Sequence, residues 1–586
     1  MRRYFLPENI DNQPQRQEQV QDMPQLPPYF SISTTSFPSS KNVTNIPIGI
    51  SISPNGPPNI PVIDYTNRYH VRCNFCHGYL SYLCKIHNSK VWRCPLCGTD
   101  SSLPHGFTPD SPEIHYPVYD VILPKYNKTE APFKKIFTIA IDTSNYDHAK
   151  VFVNSLKNII QKMSDDTCLY LITYNQSITL YDPSKKRKIV FSELENLPIP
   201  PINVPPLRET RPFYNSIFES FTSQPQPPTS KASKIKLLFT FVNELIGDNG
   251  CVLCAFVDGC PTDILQRQQP TFSYPDNEDE FRDLCFKLNL NNISVHIFTN
   301  ASNERNNESS ITSISSGLTS GTFHIIANLN IFNIELENVL TQKYYWKSCG
   351  KLRCSHKIEV TEHLGNCVIH NSGASSFGAF PQNGGITYIL KLPDKSIQDQ
   401  YVYFQFAMLY RNDEGTELVR IFTYPVKVSN DISTSNSIWT IGLKKAANIL
   451  LTNDIKNSKR YVNSLIPNLT NINNIRMFGN DISFDQKISD IVFIRGARPI
   501  DIILYIFPRE ETSEICKFCQ NYEAVFIITD NEENENKVIE SIYGGEVMEK
   551  VPKLQNEYNE SFHKFYDAAK SISGVGLIPV VFVSNK

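Results

Sequence analysis

The sequence predicts a multidomain chain of α/β and β structure organised around a doubly wound sheet. Its 586 residues are enough for about three to five domains. Between residues 116 and 340, apolar strands alternate with amphipathic helices, which is the pattern of a doubly wound α/β sheet. Within residues 65–110, two Cys-x2-Cys pairs predict a small metal-bound ribbon.

Composition and charge narrow the class of protein. Hydrophobic residues make up 40% and charged residues 20% of the chain, so it can bury sizeable cores and is not wholly disordered. The net charge of -3 argues against a strongly basic nucleic-acid binder. The sequence has no apolar run of about eighteen residues, and its start, MRRYFLPENI, lacks the apolar core of a secretory signal. We therefore expect a cytoplasmic protein with reduced cysteines.

The chain before the ribbon divides into a tail and a strand region. Residues 1–28 are rich in Gln and Pro, which predicts a disordered tail. Residues 29–64 contain FSISTTSFP, which has the composition of an edge strand, and IPIGISISP, which is closed by the turn-forming PNGPPN. We predict strands at both segments.

Strands and helices alternate most clearly in residues 116–340, the predicted trunk. The apolar segments KKIFTIAID, CLYLIT, CVLCAFV and ISVHIF are predicted strands. Apolar residues recur at helical spacing from Ala149 to Met163 and from Leu237 to Ile246, and a further helix is expected near 279–289. The Pro-rich segment 199–235 is predicted to be a surface loop.

The rest of the chain is predicted to hold more strands, a short helical region and an end domain. Residues 341–430 contain YVYFQFAMLY and TELVRIFTYPVKV, joined by the hairpin turn RNDEG. Residues 432–480 have helical patterning. Residues 481–586 mix strands, at ISDIVFI, YEAVFIIT and LIPVVFV, with helices at 536–543 and 556–571, which is the pattern of an α+β domain.

Four cysteines of the ribbon have the spacing of a structural zinc site. Cys73 and Cys76 form the first Cys-x2-Cys pair, and Cys94 and Cys97 form the second. Four thiolates complete a tetrahedral shell and leave no position for water, so the predicted Zn²⁺, one per chain, is structural. Cys84 lies between the pairs and is predicted to be a core residue.

The other cysteine pairs lack a partner pair at ribbon-like distance. Cys251 and Cys254 lie within an apolar strand, and Cys516 and Cys519 precede a strand of the end domain. We predict that all four act as small hydrophobic residues, not as metal ligands.

Enzymatic chemistry is not indicated by the sequence. It contains no Gly-x-Ser-x-Gly elbow, no Walker loop and no His-Glu-x-x-His helix. The corner after the first trunk strand, from Asp142 to Tyr146, resembles the Asp-x-Ser-x-Ser metal corner of von Willebrand A domains, but Tyr146 replaces the last serine. We therefore predict a von Willebrand A-like trunk without a metal site. His363 and His370 lack metal-ligand spacing and are expected to be structural.

The basic run from Lys185 to Lys188, KKRK, allows two interpretations. A charge run is usually a solvated loop. The alternative is an electrostatic contact with anionic lipid, worth about 1 kcal/mol per basic residue near the surface.

The order of these parts resembles the inner layer of the COPII vesicle coat, whose two paralogous subunits share one plan. FSISTTSFPSS with NIPIGISISP resembles the start of its β-sandwich, and VRCNFCHGYL with VWRCPLC resembles its zinc finger. KLRCSHKIEV with QYVYFQFAMLYRNDEGTELVRIFTYPV resembles the returning sandwich strands, and ISDIVFIRGARPIDIILYIFPR with YEAVFIIT resembles the gelsolin-like end domain. The resemblance covers roughly residues 29–586, although the tail and the helical region are shorter than the family's.

Within this family the chain is similar to the cargo-adaptor subunit. The GTPase-activating subunit typically opens its finger with Cys-x4-Cys, whereas the adaptor has Cys-x2-Cys preceded by Arg, as in Arg72-Cys73. The resemblance implies a non-catalytic protein, peripheral on endoplasmic reticulum exit sites and COPII vesicles, that binds sorting signals of cargo membrane proteins. It also implies pairing with the GTPase-activating paralogue in a heterodimer, contact with the coat small GTPase, and membrane contact by a basic face.

The resemblance also nominates the residues that bind cargo. Arg72 and His77 flank the first knuckle, where adaptors place basic groups that receive acidic signals, although the family often has Arg where His77 stands. Two alternatives remain open. One is the GTPase-activating subunit, which would insert an Arg into the nucleotide site of the GTPase. The other is a zinc-ribbon nucleic-acid binder, which the net charge disfavours.

Overall fold

The computed structural model describes most of the chain between residues 26 and 584. The described residues are 26–66, 71–87, 90–103, 107–108, 110–124, 133–192, 199, 202–223, 232–261, 263–264, 279–300, 306–326, 329–450, 455–465, 475–479, 482–506, 509–512, 516–520, 525–529, 565, 567–568 and 580–584. The tail prediction for 1–28 and the helix predictions at 536–543 and 556–571 therefore fall almost entirely outside the described residues.

The first part of the chain forms eight short strands. They are β1 (Phe30–Ile32), β2 (Phe37–Pro38), β3 (Gly49–Ile52), β4 (Val62–Asp64), β5 (Lys85–His87), β6 (Val91–Arg93), β7 (Asp100–Ser102) and β8 (Val118–Ile122). Strands β5, β6 and β7 make the three-stranded antiparallel sheet of the finger. Of the other five strands, β1 pairs with β3 and β4 pairs with β8, whereas β2, β3 and β8 also pair with segments far along the chain, so all five belong to sheets that later strands complete.

The trunk is an α/β unit built on seven strands. Its elements are β9 (Ile136–Asp142), α1 (Tyr146–Lys162), β10 (Cys168–Tyr174), β11 (Ile178–Asp182), β12 (Arg187–Phe191), α2 (Leu207–Ser223), β13 (Ala232–Ser233), α3 (Ile235–Ile246), β14 (Cys251–Val257), β15 (Cys260–Pro261), α4 (Asp279–Leu290), β16 (Ile293–Asn300), α5 (Asn306–Leu318), β17 (Phe323–Ile326) and α6 (Leu329–Thr341).

Helices cover both faces of the trunk sheet, which explains its apolar strands. The strand order is β12-β11-β10-β9-β14-β16-β17, and the neighbours from β10 to β17 are parallel. Residues of α1, α2 and α6 pack on one face, and residues of α3, α4 and α5 pack on the other. Strands β9, β10 and β14 are buried along their whole length, so they appear in the sequence as continuous apolar runs.

Two trunk predictions are wrong. The segment 199–235 is not a loop throughout, because it contains α2, which buries Leu207, Tyr214, Phe218 and Phe221 at helical spacing. Pro212 lies inside this helix and, with the flanking prolines, hid the spacing. The trunk also does not begin at 116, because β8 pairs with residues 418–422 and with β4. Because these partners are distant in sequence, the residues around β8 do not indicate which sheet the strand joins.

The β-sandwich is assembled from strands that precede the trunk and strands that follow it. Its later strands are β18 (Tyr344–Cys354), β19 (Glu359–Leu364), β20 (Val368–Ile369), β21 (Ser375–Pro381), β22 (Ile386–Lys391), β23 (Tyr401–Arg411) and β24 (Glu417–Ser429). One sheet has the order β1-β3-β22-β19, and the other has the order β20-β21-β18-β23-β24-β8-β4 with β2 beside β24. Their inner faces share one hydrophobic core.

The helical region and the end sheet follow the sandwich. The helices are α7 (Ser437–Leu450), α8 (Ile455–Leu465), α9 (Phe484–Gly496) and α10 (Pro499–Ile506), and the end strands are β25 (Arg509–Thr512), β26 (Cys516–Gln520), β27 (Val525–Thr529) and β28 (Val580–Ser584). The end strands form one sheet in sequence order, with β27 and β28 parallel.

The predicted strand ISDIVFI is wrong, because these residues lie in α9. Ile488 and Val492 of α9 pack into the trunk core, whereas Ile491 and Ile494 pack against the other helices. A helix buried on opposite sides has apolar residues nearly all round, and a short apolar run of that kind does not distinguish a helix from a strand. Helical structure therefore continues to Ile506, beyond the predicted end at 480. The other domain boundaries remain predictions.

Candidate functional site

The two knuckles of the finger have the same backbone geometry. The residue after the second cysteine of each pair is left-handed, with φ of 55° at His77 and 72° at Gly98. The amide of that residue donates to the carbonyl of the first cysteine, at 3.0 Å from His77 to Cys73 and 2.9 Å from Gly98 to Cys94. This repeated turn directs both thiols of a pair towards one point.

The four cysteine sulfurs form one compact group. The Sγ atoms of Cys73 and Cys97 are 3.5 Å apart, those of Cys76 and Cys94 are 3.6 Å apart, and all four lie within 4.8 Å of one another. Zn–S bonds of about 2.3 Å in a tetrahedron separate the sulfurs by about 3.8 Å, so the group fits zinc. Among the residues that the structure describes, no other cluster of three or more metal-ligating side chains occurs.

The chemistry of this site is structural. The hydrogen bond from the Cys94 thiol lowers the pKa of the Cys76 thiol to about 5, although burial opposes the shift. Cys84 accepts a hydrogen bond from the Ser81 amide at 3.2 Å, and burial raises its pKa to about 11. It is therefore a protonated thiol outside the group of four sulfurs. Four sulfur ligands leave no open position, so the zinc holds the finger together and activates no water.

The finger is fixed to the sandwich by a small core and a polar clamp. Trp92 is fully buried with Leu80 and Leu96, and Tyr403 of β23 packs against them. Gln405 of β23 accepts a hydrogen bond from the Tyr79 amide at 2.6 Å and donates one to the Tyr79 carbonyl at 3.0 Å. These contacts give the finger a defined orientation on the sandwich.

The structure places the predicted cargo residues at the two ends of the first knuckle. Arg72 is exposed, and its guanidinium lies 4.3 Å from the centre of the Tyr79 ring and donates to the Tyr79 hydroxyl. His77 is also exposed. Within the described residues no hydrogen bond or ion pair joins the side chains of Arg72 and His77.

Arg353 is a basic residue of this surface that the sequence analysis missed. It lies on β18, directly opposite Gln405 of β23, and its Nη1 is buried without a hydrogen-bond partner. Burial lowers its pKa, and the positive charge of Arg72 adds to the effect. Within the described part of the chain, neither Arg72 nor Arg353 has a carboxylate in ion-pair contact. KLRCSHKIEV shows only a strand pattern, so nothing in the local sequence indicated that Arg353 lies near the finger.

The Asp142 corner is occupied by the protein's own amides. One carboxylate oxygen of Asp142 accepts from the Ser144 amide at 2.8 Å, and the other accepts from the amides of Asp258 and Gly259 at 3.1 and 2.9 Å. Burial raises the pKa of Asp142. Tyr146 is the first residue of α1. Its hydroxyl donates a hydrogen bond to the Phe221 carbonyl at 2.7 Å, so this hydroxyl is used within the trunk and not as a metal ligand. That the corner binds no metal remains a prediction.

The remaining residues named from the sequence have structural surroundings. Cys251 and Cys254 are fully buried in β14, and burial raises the pKa of Cys251 to about 12. His363 contacts the Ser375 hydroxyl at 2.7 Å and packs edge-on against a tyrosine ring, whereas His370 lies in a turn. The side chain of Cys516 lies outside the described residues, and that of Cys519 is half-buried in β26.

The basic run forms the tip of the hairpin between β11 and β12. All four residues from Lys185 to Lys188 are exposed, and Lys186 is left-handed with φ of 49°. Arg187 is 3.3 Å from the carboxylate of Asp182. The run is therefore exposed on a hairpin at the edge of the trunk sheet, a position compatible with both of its interpretations.

Comparison with known proteins matches these parts of the structure. The family model described as Sec23/Sec24 zinc finger matches residues 71–107, and that described as Sec23/Sec24 beta-sandwich domain matches residues 345–429. Human protein transport protein Sec24A is 20% identical over 493 residues, which cover 75% of this chain and 44% of that protein. The Dictyostelium discoideum protein transport protein SEC24 is 21% identical over 459 residues, which cover 68% of this chain and 44% of that protein.

The architecture as a whole also matches a solved structure. The crystal structure of the human COPII-coat protein Sec24c superposes with a TM-score of 0.77 at 14% sequence identity, covering 96% of this chain and 90% of that chain. At this identity the match establishes the fold. By contrast, the chain spans about half the length of the curated relatives it matches.

The matched finger and sandwich, joined to a von Willebrand A-like trunk, give the chain the fold of the COPII-coat protein Sec24c. The finger and the sandwich of this chain match Sec23/Sec24 family models, and the relatives described above are of the Sec24 type. The predicted multidomain fold, the one structural zinc and the resemblance to the cargo-adaptor branch of this family are confirmed. Across the described residues, no helix has both the length and the apolar composition needed to cross a bilayer.

Proposed function

We propose that the chain is a non-catalytic coat adaptor that binds sorting signals of cargo membrane proteins during transport from the endoplasmic reticulum. Similarity to Sec24 proteins supports this role, because these relatives are protein transport proteins and a COPII-coat protein. The absence of catalytic motifs from the sequence is consistent with it. The adaptor pairs with the GTPase-activating paralogue as a heterodimer and meets the coat small GTPase at the membrane.

The observation that carries the proposal is the pair of arginines at the junction of finger and sandwich. The guanidinium of Arg72 lies over the Tyr79 ring. Arg353 lies half-buried on β18, and its Nη1 is buried without a hydrogen-bond partner. Neighbouring like charges without an ion-pair partner attract an anion, and Arg binds a carboxylate with two parallel hydrogen bonds. A sorting signal with an acidic residue supplies that carboxylate. His77 adds a third basic side chain at the other end of the knuckle.

A peptide-binding experiment tests this role. The full chain is titrated into a fluorescent peptide that carries an acidic signal, and the same peptide with Gln and Asn in place of Glu and Asp is the ligand control. Arg72→Ala and Arg353→Ala should each weaken binding by about 1.5–3 kcal/mol, the value of a charged hydrogen bond, or about 10–150-fold. Lys391→Ala is the matched protein control, because Lys391 pairs with Glu359 on an exposed part of the sandwich. Equal affinity of all variants would refute the site.

A second assay separates the adaptor from the GTPase-activating subunit. The chain is added to the coat small GTPase and GTP hydrolysis is followed. An inserted arginine accelerates GTP hydrolysis by about 10³–10⁵, so an adaptor alone should leave the rate unchanged. Recovery of the GTPase-activating paralogue in a lysate pull-down, identified by mass spectrometry, would support the heterodimer, and its absence would contradict it.

A further inference from the structure

The zinc finger meets the sandwich at an arginine that has no negative partner in its own sheet. Arg353 lies half-buried on β18, and its Nη1 is buried without a hydrogen-bond partner. It takes part in none of the ion pairs that join the described residues of the sandwich. An arginine keeps its charge in a protein, and a buried charge is costly unless an opposite charge lies close by. Negative charge is therefore expected near this guanidinium.

The four thiolates of the finger carry such a charge. With Zn²⁺ bound, four thiolates have a net charge of about -2. The Cys76 sulfur lies close to the sandwich, because a Cβ added at Gly78 would be 3.3 Å from the Cys76 Sγ and 3.5 Å from the Gln405 Oε1. The Gly78 amide donates to this sulfur at 3.4 Å, but a neutral amide offsets only part of the charge of a four-thiolate site. The site therefore gains from a positive group near Cys76.

Strand pairing places Arg353 on the side of the sheet that faces this sulfur. Arg353 and Gln405 lie directly opposite each other on β18 and β23, and such side chains share one face with their Cβ atoms about 4.5–5.5 Å apart. Gln405 holds the backbone of Tyr79, the residue after Gly78. Burial lowers the pKa of Arg353, and the negative charge of Cys76 acts against that shift. The guanidinium and the thiolate are therefore close enough to interact electrostatically.

We propose that Arg353 is a positioning residue of the zinc site: its guanidinium is the counter-charge of the Cys76 thiolate and raises the affinity of the finger for zinc. A guanidinium has only N–H donors, so it acts through the sulfur and is not a ligand of the metal. Groups that contact metal ligands in this way hold them in place and strengthen metal binding. Because Arg353 belongs to the sandwich, zinc retention depends on how the finger is docked there. The inference goes beyond the adaptor role, which uses this arginine only to bind a signal.

Competition for zinc between the full chain and a chromophoric chelator, with no peptide present, tests the proposal. Arg353→Met keeps the length of the side chain but removes its charge, and it should raise the dissociation constant for zinc about 10–100-fold. Arg353→Lys keeps the charge and should recover most of that loss. Lys351→Met is the matched control and should leave zinc affinity unchanged, because Lys351 lies two residues earlier on β18 and its Nζ donates to the Ser372 carbonyl at 2.6 Å. The melting temperature of each variant shows whether the sandwich is folded.

Unchanged zinc affinity in Arg353→Met would overturn the proposal. Equal losses in Arg353→Met and Arg353→Lys would also overturn it, because they would show an effect of shape and not of charge. If Arg353→Met does not fold, Lys351→Glu takes its place. Its carboxylate, on the same face of β18, draws the guanidinium away from the sulfur and should weaken zinc binding about two- to fivefold relative to Lys351→Met, the range of an exposed ion pair. Equal affinity of these two variants would then refute the counter-charge.

The peptide assay is run separately, so the two roles of Arg353 can fail independently. Weaker peptide binding by Arg353→Met with unchanged zinc affinity would remove this inference and leave the adaptor site standing. Weaker zinc binding with unchanged peptide affinity would support the counter-charge and refute the adaptor site.

Discussion

The side-chain amide of Gln405 bonds both backbone groups of Tyr79. Its Oε1 accepts from the Tyr79 amide at 2.6 Å, and its Nε2 donates to the Tyr79 carbonyl at 3.0 Å. The two residues are 326 positions apart, and Gln405 faces Arg353 across the sheet while Arg72 lies over the Tyr79 ring. One buried glutamine therefore determines how the arginine of the finger sits relative to the arginine of the sandwich.

Replacing this glutamine should loosen the finger. Gln405→Leu has a similar volume but leaves the amide and carbonyl of Tyr79 without partners, and each such group costs about 1–3 kcal/mol when buried. We expect faster hydrogen exchange across residues 71–87 and weaker binding of an acidic signal peptide, with little change in the trunk. Gln400→Leu, at an exposed position just before β23, is the control. Unaltered exchange in the finger would contradict the clamp.

Sequence patterns were most informative where structure is determined locally. The trunk strand at 251–257 was predicted to the residue, because its burial on both faces makes every position apolar. The four zinc ligands were identified because a knuckle places its two cysteines a fixed distance apart along the chain. In both cases the physical constraint acts over fewer than about ten residues.

Non-local packing accounts for the errors. The helix α9 was predicted as a strand because both of its sides are buried, one against the trunk and one against other helices. The strand β8 was assigned to the trunk because its true partners lie about 300 residues away in β24. Arg353 lies at the candidate site because β18 pairs with β23, and the sequence around residue 353 does not indicate that pairing.

The zinc site should control the finger alone. We expect close to one zinc per chain by metal analysis, and Cys94→Ser should lose it, because three thiolates no longer complete the shell. Hydrogen exchange should then rise across residues 71–103 while the trunk strands stay protected by their own core. Cys84→Ser, which changes a cysteine outside the sulfur cluster, should keep its zinc. A wild-type chain that is fully folded without metal would show that the finger does not depend on it.

His77 offers a gain-of-affinity test of the cargo site. His77→Arg adds a permanent positive charge at the exposed end of the knuckle and should tighten an acidic signal peptide roughly two- to fivefold, the range of an exposed ion pair. The same substitution at His87, which is exposed on β5, is the control for net charge. Equal tightening by both variants would indicate a general charge effect, and the site would lose its support.

The Asp142 corner should not bind a divalent cation. Both of its carboxylate oxygens already accept backbone hydrogen bonds, and Tyr146 stands where a ligand hydroxyl would be required. Millimolar Mg²⁺ should therefore leave the melting temperature unchanged, since a ligand stabilises only the state that binds it. Asp142→Ala is the companion variant, and it should destabilise the trunk because three amides lose their acceptor. A saturable rise in melting temperature with Mg²⁺ in the wild type, absent from Asp142→Ala, would establish a metal site there.

The fully buried amine of Lys444 should make stability depend on pH. Its Nζ donates to the Gly385 carbonyl at 3.0 Å where α7 meets the sandwich, and burial lowers its pKa from 10.5 to about 7. Between about pH 7 and 10.5 the unfolded chain keeps a proton that the folded chain has lost, so this residue makes the free energy of unfolding rise with pH across that window. Lys444→Met should remove this slope and raise stability most near pH 7, by on the order of a few kcal/mol. Thermal unfolding of both proteins at pH 7, 8 and 9 measures the difference, with Lys445→Met, at a partly exposed ion pair with Glu362, as the control. A wild-type–variant difference that stays constant across these pH values would mean that Lys444 keeps its proton when folded.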